Sequence, residues 1–404
     1  MRRAVFVILA ATAALFAIQN HPTSLVIERI QSEWDGSYPI QFVLLGDSRN
    51  PFDPDEPSGD SVFAIIRQKV NELAPLFAIH GGDFTQDGYR EEYPACVWKL
   101  DSFQVNLLTV RGNHEIYGDF GPFLYDSVWG PTDYYFDLGI YRFIIFADCQ
   151  QDSDTVWYGH KIDYLVSEEQ LDWLDSLLAD ADRLGMYSLV FAHTPPYNPG
   201  HDTTHCLGYS GYLPEPNYEL SHTEELSEIL ASHRVLMGGW SHQHFYDRSE
   251  YMGVPYIITG GAGAPLDSAI SPPPYGADFY HFLLFELDSV GNLTGYLYRA
   301  GSDSPEEGYT FTISPSKIAE RPTSPKPQIS VFNGVLFVRG NVPMGECTVS
   351  ITGIDGRKIS EVKMKLSRGR NVLPARLFPA SGVYFLRILG DDFLWRGKML
   401  WMRK

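Results

Sequence analysis

From Pro39 onward one arrangement recurs five times along the chain: an apolar run, a small residue that ends it, and then a residue able to bind a metal. Phe42-Val43-Leu44-Leu45-Gly46 leads to Asp47, and Leu76-Phe77-Ala78-Ile79 leads through His80-Gly81-Gly82 to Asp83. Leu107-Leu108-Thr109-Val110-Arg111-Gly112 leads to Asn113-His114-Glu115, Leu189-Val190-Phe191-Ala192 leads to His193, and Val235 to Ser241 leads to His242-Gln243-His244. Short apolar runs closed by a small residue read as buried strands. Strands whose carboxyl ends line one sheet edge deliver whatever follows them into a single crevice. Donors as distant in sequence as Asp47 and His244 can therefore share one site.

Helical patterns sit between these runs. Val62, Ile65, Ile66, Lys69, Val70 and Leu73 make one stripe with a polar back, and Ser167 with Gln170 forms a capping box ahead of Leu171, Leu174, Leu177 and Leu178. A second box, Ser221 with Glu224, precedes Leu226, Ile229 and Leu230. Strands alternating with amphipathic helices indicate an α/β core. The runs Tyr141 to Phe146 and Tyr280 to Leu287 add strands without a helix between each pair, so mixed sheets are expected.

The donors themselves narrow the chemistry. Asp47, Asp83, Asn113, His193, His242 and His244 supply oxygen and imidazole without a thiolate, which suits Mn, Fe, Zn or Mg rather than an iron–sulfur cluster or structural zinc. Six donors are too many for one tetrahedral ion. They suit two divalent or trivalent ions about 3.5 to 4 Å apart sharing a carboxylate, the arrangement that hydrolyses phosphate esters. Singly, each has an ordinary explanation, since a strand-end Asp often bonds its own turn. Five strand ends each carrying a donor is the observation that points to metal.

Taken together, GDSR (Gly46 to Arg49), GDFTQDG (Gly82 to Gly88), GNHE (Gly112 to Glu115), AHTPPY (Ala192 to Tyr197) and SHQH (Ser241 to His244) resemble the calcineurin-like metallophosphoesterase superfamily in order and spacing. The resemblance covers about residues 38–300 and implies two stacked mixed sheets flanked by helices. It also implies roles. Asp83 would bridge two metals, Asp47 and His244 would complete the first, and Asn113, His193 and His242 the second. His114 would sit beside the metals without binding them, with Glu115 behind it as a supporting partner. Two cations lower the pKa of a shared water from near 16 toward neutrality and polarise phosphoryl oxygens, so that hydroxide attacks phosphorus in line. His114, whose ordinary pKa lies near 6.5, would protonate the leaving group or steady its charge.

Two departures from the family pattern matter. Its first motif commonly reads Asp-x-His and its last Gly-His-x-His, whereas this chain has Arg49 and Ser241. A guanidinium cannot ligate a cation, so Arg49 either leaves the first site short of a ligand, clamps substrate phosphate through its planar fork, or pairs with Asp53 or Asp55. Ser241 is small and the loop need not adopt positive φ there. The reading that follows is a phosphoesterase. The alternative is a surface binding protein in which the altered first motif has cost a metal.

At 404 residues the chain has length for two or three domains, and 44 % apolar with 14 % aromatic residues argues against disorder. Fifty acidic against 31 basic residues give a charge of -19, which disfavours non-specific nucleic-acid binding and leaves a small phosphate ester as the expected partner. Cys96, Cys149, Cys206 and Cys347 contain no CxxC pair, so any disulfide would be accessory. Arg2 and Arg3 ahead of the uncharged run Ala4 to Ile18 read as a signal peptide over residues 1–19, hence a secreted or cell-surface protein with no transmembrane span in the mature chain. The segment from Tyr197 to Leu220 is expected to rim the site. A Pro-rich linker is expected over 301–327, then a small β domain over 328–404 built from short strands and turns such as Asn333-Gly334 and Asp355-Gly356. An immunoglobulin-like sandwich fits that pattern. Its stretches VSITGIDGR (from Val349) and SGVYFLRI (from Ser381), with the terminal KMLWMRK, resemble the sorting domains of type IX secretion cargo, which would make secretion machinery a partner.

Overall fold

The structure, a computed structural model, describes residues 19–50, 59–118, 120–151, 162–201, 205–207, 222–319, 328–332, 335–339, 346–353, 357–366, 369–389 and 394–402. The leader expected over 1–19 lies, except for Gln19, outside the described residues, as do Asp53, Asp55, Ser221 and most of the segment expected to rim the site.

The strand Ile40–Leu45 buries both of its faces. Because successive side chains point to opposite sides, Phe42 and Leu44 enter one core while Val43 and Leu45 enter another. The same division holds across the second sheet, where Phe143 and Ile145 face Phe42 and Leu44, and Ile144 and Phe146 turn the other way. Three cores therefore separate four layers. Between the sheets, Phe42 stacks on Phe77 and Phe285 at 5.4 and 4.9 Å, and its ring edge meets Phe143 at 5.5 Å. On one outer face Val62, Phe63, Ile66 and Val70 of the helix Gly59–Leu73 cover the first sheet. On the other, Leu171, Leu174 and Leu178 of Glu168–Arg183 and Leu226, Ile229 and Leu230 of Thr223–Ser232 cover the second.

Both sheets are mixed, as expected. The first runs Phe311–Ile313, Leu293–Arg299, His281–Leu287, Ile40–Leu45, Phe77–His80, Asn106–Thr109, its last three strands parallel. The second runs Gly276–Ala277, Tyr246–Tyr251, Val254–Thr259, Val235–Trp240, Tyr187–Phe191, Tyr141–Ile145, Tyr134–Leu138, with four consecutive parallel strands in the middle. The five runs that carry the donors are thus parallel neighbours within their sheets, with all carboxyl ends on one side.

The Ser167 capping box forms in full, the hydroxyl accepting from the Gln170 amide and the Gln170 side chain accepting from the Ser167 amide. The second expected box cannot be followed, since Ser221 lies outside the described residues; the helix Thr223–Ser232 starts after His222, held at φ 55° and paired with Glu225. The expected linker also begins later than 301. Phe311–Ile313 pairs with Leu293–Gly295 as the outermost strand of the first sheet, and Phe311 and Ile313 are buried in its core, so the catalytic unit keeps these residues. The helix Pro315–Ala319 follows.

Among the described residues the C-terminal region is β-sheet apart from one 3-10 turn, Ala375–Leu377. A three-stranded sheet takes Gln328–Phe332, Val335–Arg339 and Gly369–Val372, and a four-stranded sheet takes Lys358–Lys365, Glu346–Thr352, Gly382–Leu389 and Leu394–Trp401, with antiparallel pairing throughout. Leu336, Cys347, Val349, Ile351, Leu386 and Ile388 share its core. All four cysteines are buried, and no disulfide joins any two of them. Among the described residues no helix is long and apolar enough to cross a membrane.

Candidate metal centre

The turns after the strands bring their donors together at a backbone cost. Asp47, Asp83 and His242 sit in the left-handed region at φ 59°, 58° and 67°, a conformation that costs a residue with a Cβ about 1–2 kcal/mol. Glycines let the strand ends close up. A Cβ on Gly46 or on Gly81 would lie 2.0 Å from Ser241 Oγ, and Ser241 donates to the Thr259 carbonyl at 3.3 Å. Ser241 thus occupies the space between two strand ends, without the positive φ that would call for glycine.

Backbone carbonyls fix which ring nitrogens face inward. A carbonyl can only accept, so His193 Nδ1 donates to Gly81 O at 2.7 Å and leaves Nε2 for the site. His244 Nδ1 donates to Pro265 O at 2.7 Å and likewise frees Nε2, which lies 3.5 Å from Asp47 Oδ1. His193 Nε2 lies 3.0 Å from Asn113 Oδ1 and 3.4 Å from Asp83 Oδ1, and His242 Nδ1 lies 3.0 Å from Asn113 Oδ1 and 3.2 Å from His193 Nε2. Lone pairs converge on lone pairs here. Asp83, His193 and His242 each offer a donor atom within 4.8 Å of the others, and among the described residues Asp47 Oδ1 is buried with no hydrogen-bond partner. This donor set, oxygen and imidazole without a thiolate, fits divalent ions.

The charges say the same. Burial works against an imidazolium, yet Asp83, Asp47 and Asp148 hold His193 up to about 10. Asp83 is held well below the usual carboxylate range by His193 and His114 in spite of its burial. The cluster demands positive charge at its centre. Burial and the neighbouring His193 hold His242 low, whereas Asp47 raises His244 against its burial.

Glu115 ties the loops. Its carboxylate accepts from the amides of Asp83, Phe84, Thr85 and Gly112 at 2.8 to 3.0 Å, so one buried side chain locks the turn of Asp83 to the turn of Asn113. Burial and Asp83 push Glu115 up to about 7 against the pull of those amides. Its bonds to backbone amides hold the two turns that carry Asp83 and Asn113. His114 lies 3.8 Å from Asp83 Oδ2 through Nε2, with Nδ1 bonded to the Gln86 carbonyl. Burial, opposed by Asp83 and aided by the Arg49 charge, lowers it to about 3. Arg49 is half-buried, lies close enough to both His114 and His244 to depress their protonation, and has its backbone amide on the Asp83 carbonyl at 3.1 Å.

Three residues near the donors carry no mark in the five motifs. Asp148 follows the apolar run Phe143 to Ala147, a sixth strand end of the same kind, and that run was the signal for it. Its carboxylate accepts from the Thr194 amide at 2.7 Å, pinning the turn after His193, and burial raises it to about 6. Tyr117 lies 4.6 Å from the His114 ring and Tyr164 lies 5.1 Å from the His242 ring, and their sequence neighbourhoods gave no indication of it.

Four layers with oxygen and imidazole donors collected at parallel strand ends define a metal-dependent phosphoesterase fold. Sequence comparison with known families matches residues 41–246, a little over half of the 404, to calcineurin-like phosphoesterases, and the chain belongs to that family. Among solved structures it is similar to a dimetal phosphatase from Danio rerio, at 17 % identity over 69 % of this chain and 99 % of that one, with a TM-score of 0.51. It is also similar to a purple acid phosphatase from yellow lupin (Lupinus luteus) seeds, at 16 % identity over 71 % of this chain and 56 % of the other, with a TM-score of 0.52. Among curated proteins no sequence matches.

Proposed function

We propose that the chain is an exported phosphoesterase that uses two metal ions. The observation that carries this is the convergence of donor atoms from Asp47, Asp83, Asn113, His193, His242 and His244, which a pair of cations would resolve. Asp83 would be shared, with Asp47 and His244 on one side and Asn113, His193 and His242 on the other. The likeness to a dimetal phosphatase supports a pair of ions. Bound there, they would supply Lewis acidity toward phosphoryl oxygens and lower the pKa of water; Mn, Fe or Zn suits the donors.

The chain's own groups do the rest. Arg49, beside His114 and His244, would receive the phosphate oxygens through two parallel N–H bonds. His114 Nε2 would face the leaving group, its ring held by the Gln86 carbonyl, and would regain its proton as the phosphate brings negative charge into the pocket. The C-terminal β unit would act as an immunoglobulin-like sorting module.

Purified protein decides the catalytic part. Two metal ions per chain and turnover of one among aryl monoesters, bis-aryl diesters and nucleotides are expected; fewer than one ion per chain, with no turnover at several metals, overturns the reading. N-terminal sequencing of the secreted protein and loss of export on deleting residues 328–404 test the rest.

A further inference from the structure

Asn113 has one atom that a metal can use. Its amide ends in an oxygen on one side and an NH2 group of nearly the same shape on the other, and only the oxygen binds a cation. A half-turn of the amide would place two hydrogens where an ion belongs. In its neutral, metal-binding form His193, whose Nδ1 donates to Gly81, presents an Nε2 lone pair 3.0 Å from the amide and lies 3.4 Å from the Asp83 carboxylate. Both groups would accept an amide N–H. These two neighbours alone do not select the oxygen over the NH2 group.

The direction is set from behind. Asn113 Nδ2 donates to the Tyr117 hydroxyl, which is hydrogen-bonded in turn to Tyr164. Tyr117 is buried, its ring packed 4.6 Å from His114, while Tyr164 packs 5.1 Å from His242. The two phenols back onto three residues of the centre at once, and one of their oxygens holds the amide nitrogen outward.

We infer that Tyr117 is a positioning residue of the metal centre: by accepting from Asn113 Nδ2 it turns the amide oxygen toward the position faced by His193 and His242. The inference rests on the two-metal reading above. Removing the hydroxyl leaves a buried N–H pair without its acceptor, and the amide then gains by turning inward to His193 or Asp83.

Mn2+ titrated calorimetrically into the chelator-stripped full chain tests this. Wild type is expected to bind two ions, and Tyr117→Phe to weaken one of them by about 10- to 100-fold while the other keeps its affinity. Asn113→Asp supplies the control, because both tips of a carboxylate are oxygens and no direction has to be chosen. In the Asn113→Asp background, Tyr117→Phe should change Mn2+ affinity by less than about twofold. Tyr117→Phe binding both ions as wild type does overturns the inference. So does an equal loss in the two backgrounds, which would mark a general folding fault. A wild-type chain that binds fewer than one ion overturns the two-metal reading instead.

Discussion

Arg49 occupies the place where related chains commonly carry a histidine, and the structure sets its charge beside two imidazoles of the centre. A guanidinium at that point repels a metal and attracts the anion the metal serves. Arg49→Ala is expected to raise KM about 10- to 100-fold and to weaken inhibition by inorganic phosphate, with metal stoichiometry unchanged. Arg49→Lys should recover only part of this, since a point charge cannot reproduce the fork; steady-state kinetics with phosphate as inhibitor read both variants. His114 makes the opposite contrast, a ring among ligands that should not be one. His114→Ala is expected to keep both metals while turnover falls by roughly two to four orders of magnitude, less for esters with activated leaving groups. Metal analysis of that variant is decisive, because loss of an ion would make His114 a ligand.

At the scale of elements, legibility follows burial. The five donor-bearing strands read clearly because parallel strands buried on both faces are nearly continuous apolar runs, and a small residue, Gly46, Gly81, Gly112, Ala192 or Ser241, follows each one. The short hairpin Cys149–Gln151 with Ile162–Tyr164 has no such run, so Tyr164 was not readable as a neighbour of His242. Phe311–Ile313 hid in a polar stretch because an edge strand needs only alternate residues buried, and Thr312 is exposed. Tyr117 escaped because its role depends on which way an amide faces, a property that spacing does not encode. One helix contact carries a pH signature. His233 bonds Asp182 at 2.8 Å and Asp175 at 3.0 Å, both on the helix Glu168–Arg183, and only an imidazolium satisfies both carboxylates. Burial opposes the charge, but the two aspartates lift His233 to about 9. Because the folded value exceeds the unfolded one of about 6.5, the stabilisation is complete below that pH and is lost as pH rises through about 9. Thermal melts of wild type and His233→Gln should therefore differ most near pH 6 and converge above pH 9.

For the whole molecule, the boundary between catalytic unit and C-terminal unit lies after Ile313 rather than at residue 300, since Phe311 and Ile313 belong to the inter-sheet core. A chain ending at residue 319 is expected to retain a cooperative melt and its metals. One ending at 300 should lose stability, measured as a drop in melting temperature, because it uncovers Leu293 and Leu297. The spread of the donors along the chain, from Asp47 to His244, has a consequence for how the protein meets its environment. Unfolded, the chain holds no two of the strand ends in proximity, so ions that bind six convergent atoms bind the native state and almost nothing else. By mass action, free metal at about 100 times its dissociation constant adds about 2.7 kcal/mol to stability, and a chelator withdraws it, so the melting temperature should climb with metal concentration. A chain that folds before it meets its ions would then gain the last increment of its stability only where metal is available, making the local metal supply a condition on its survival.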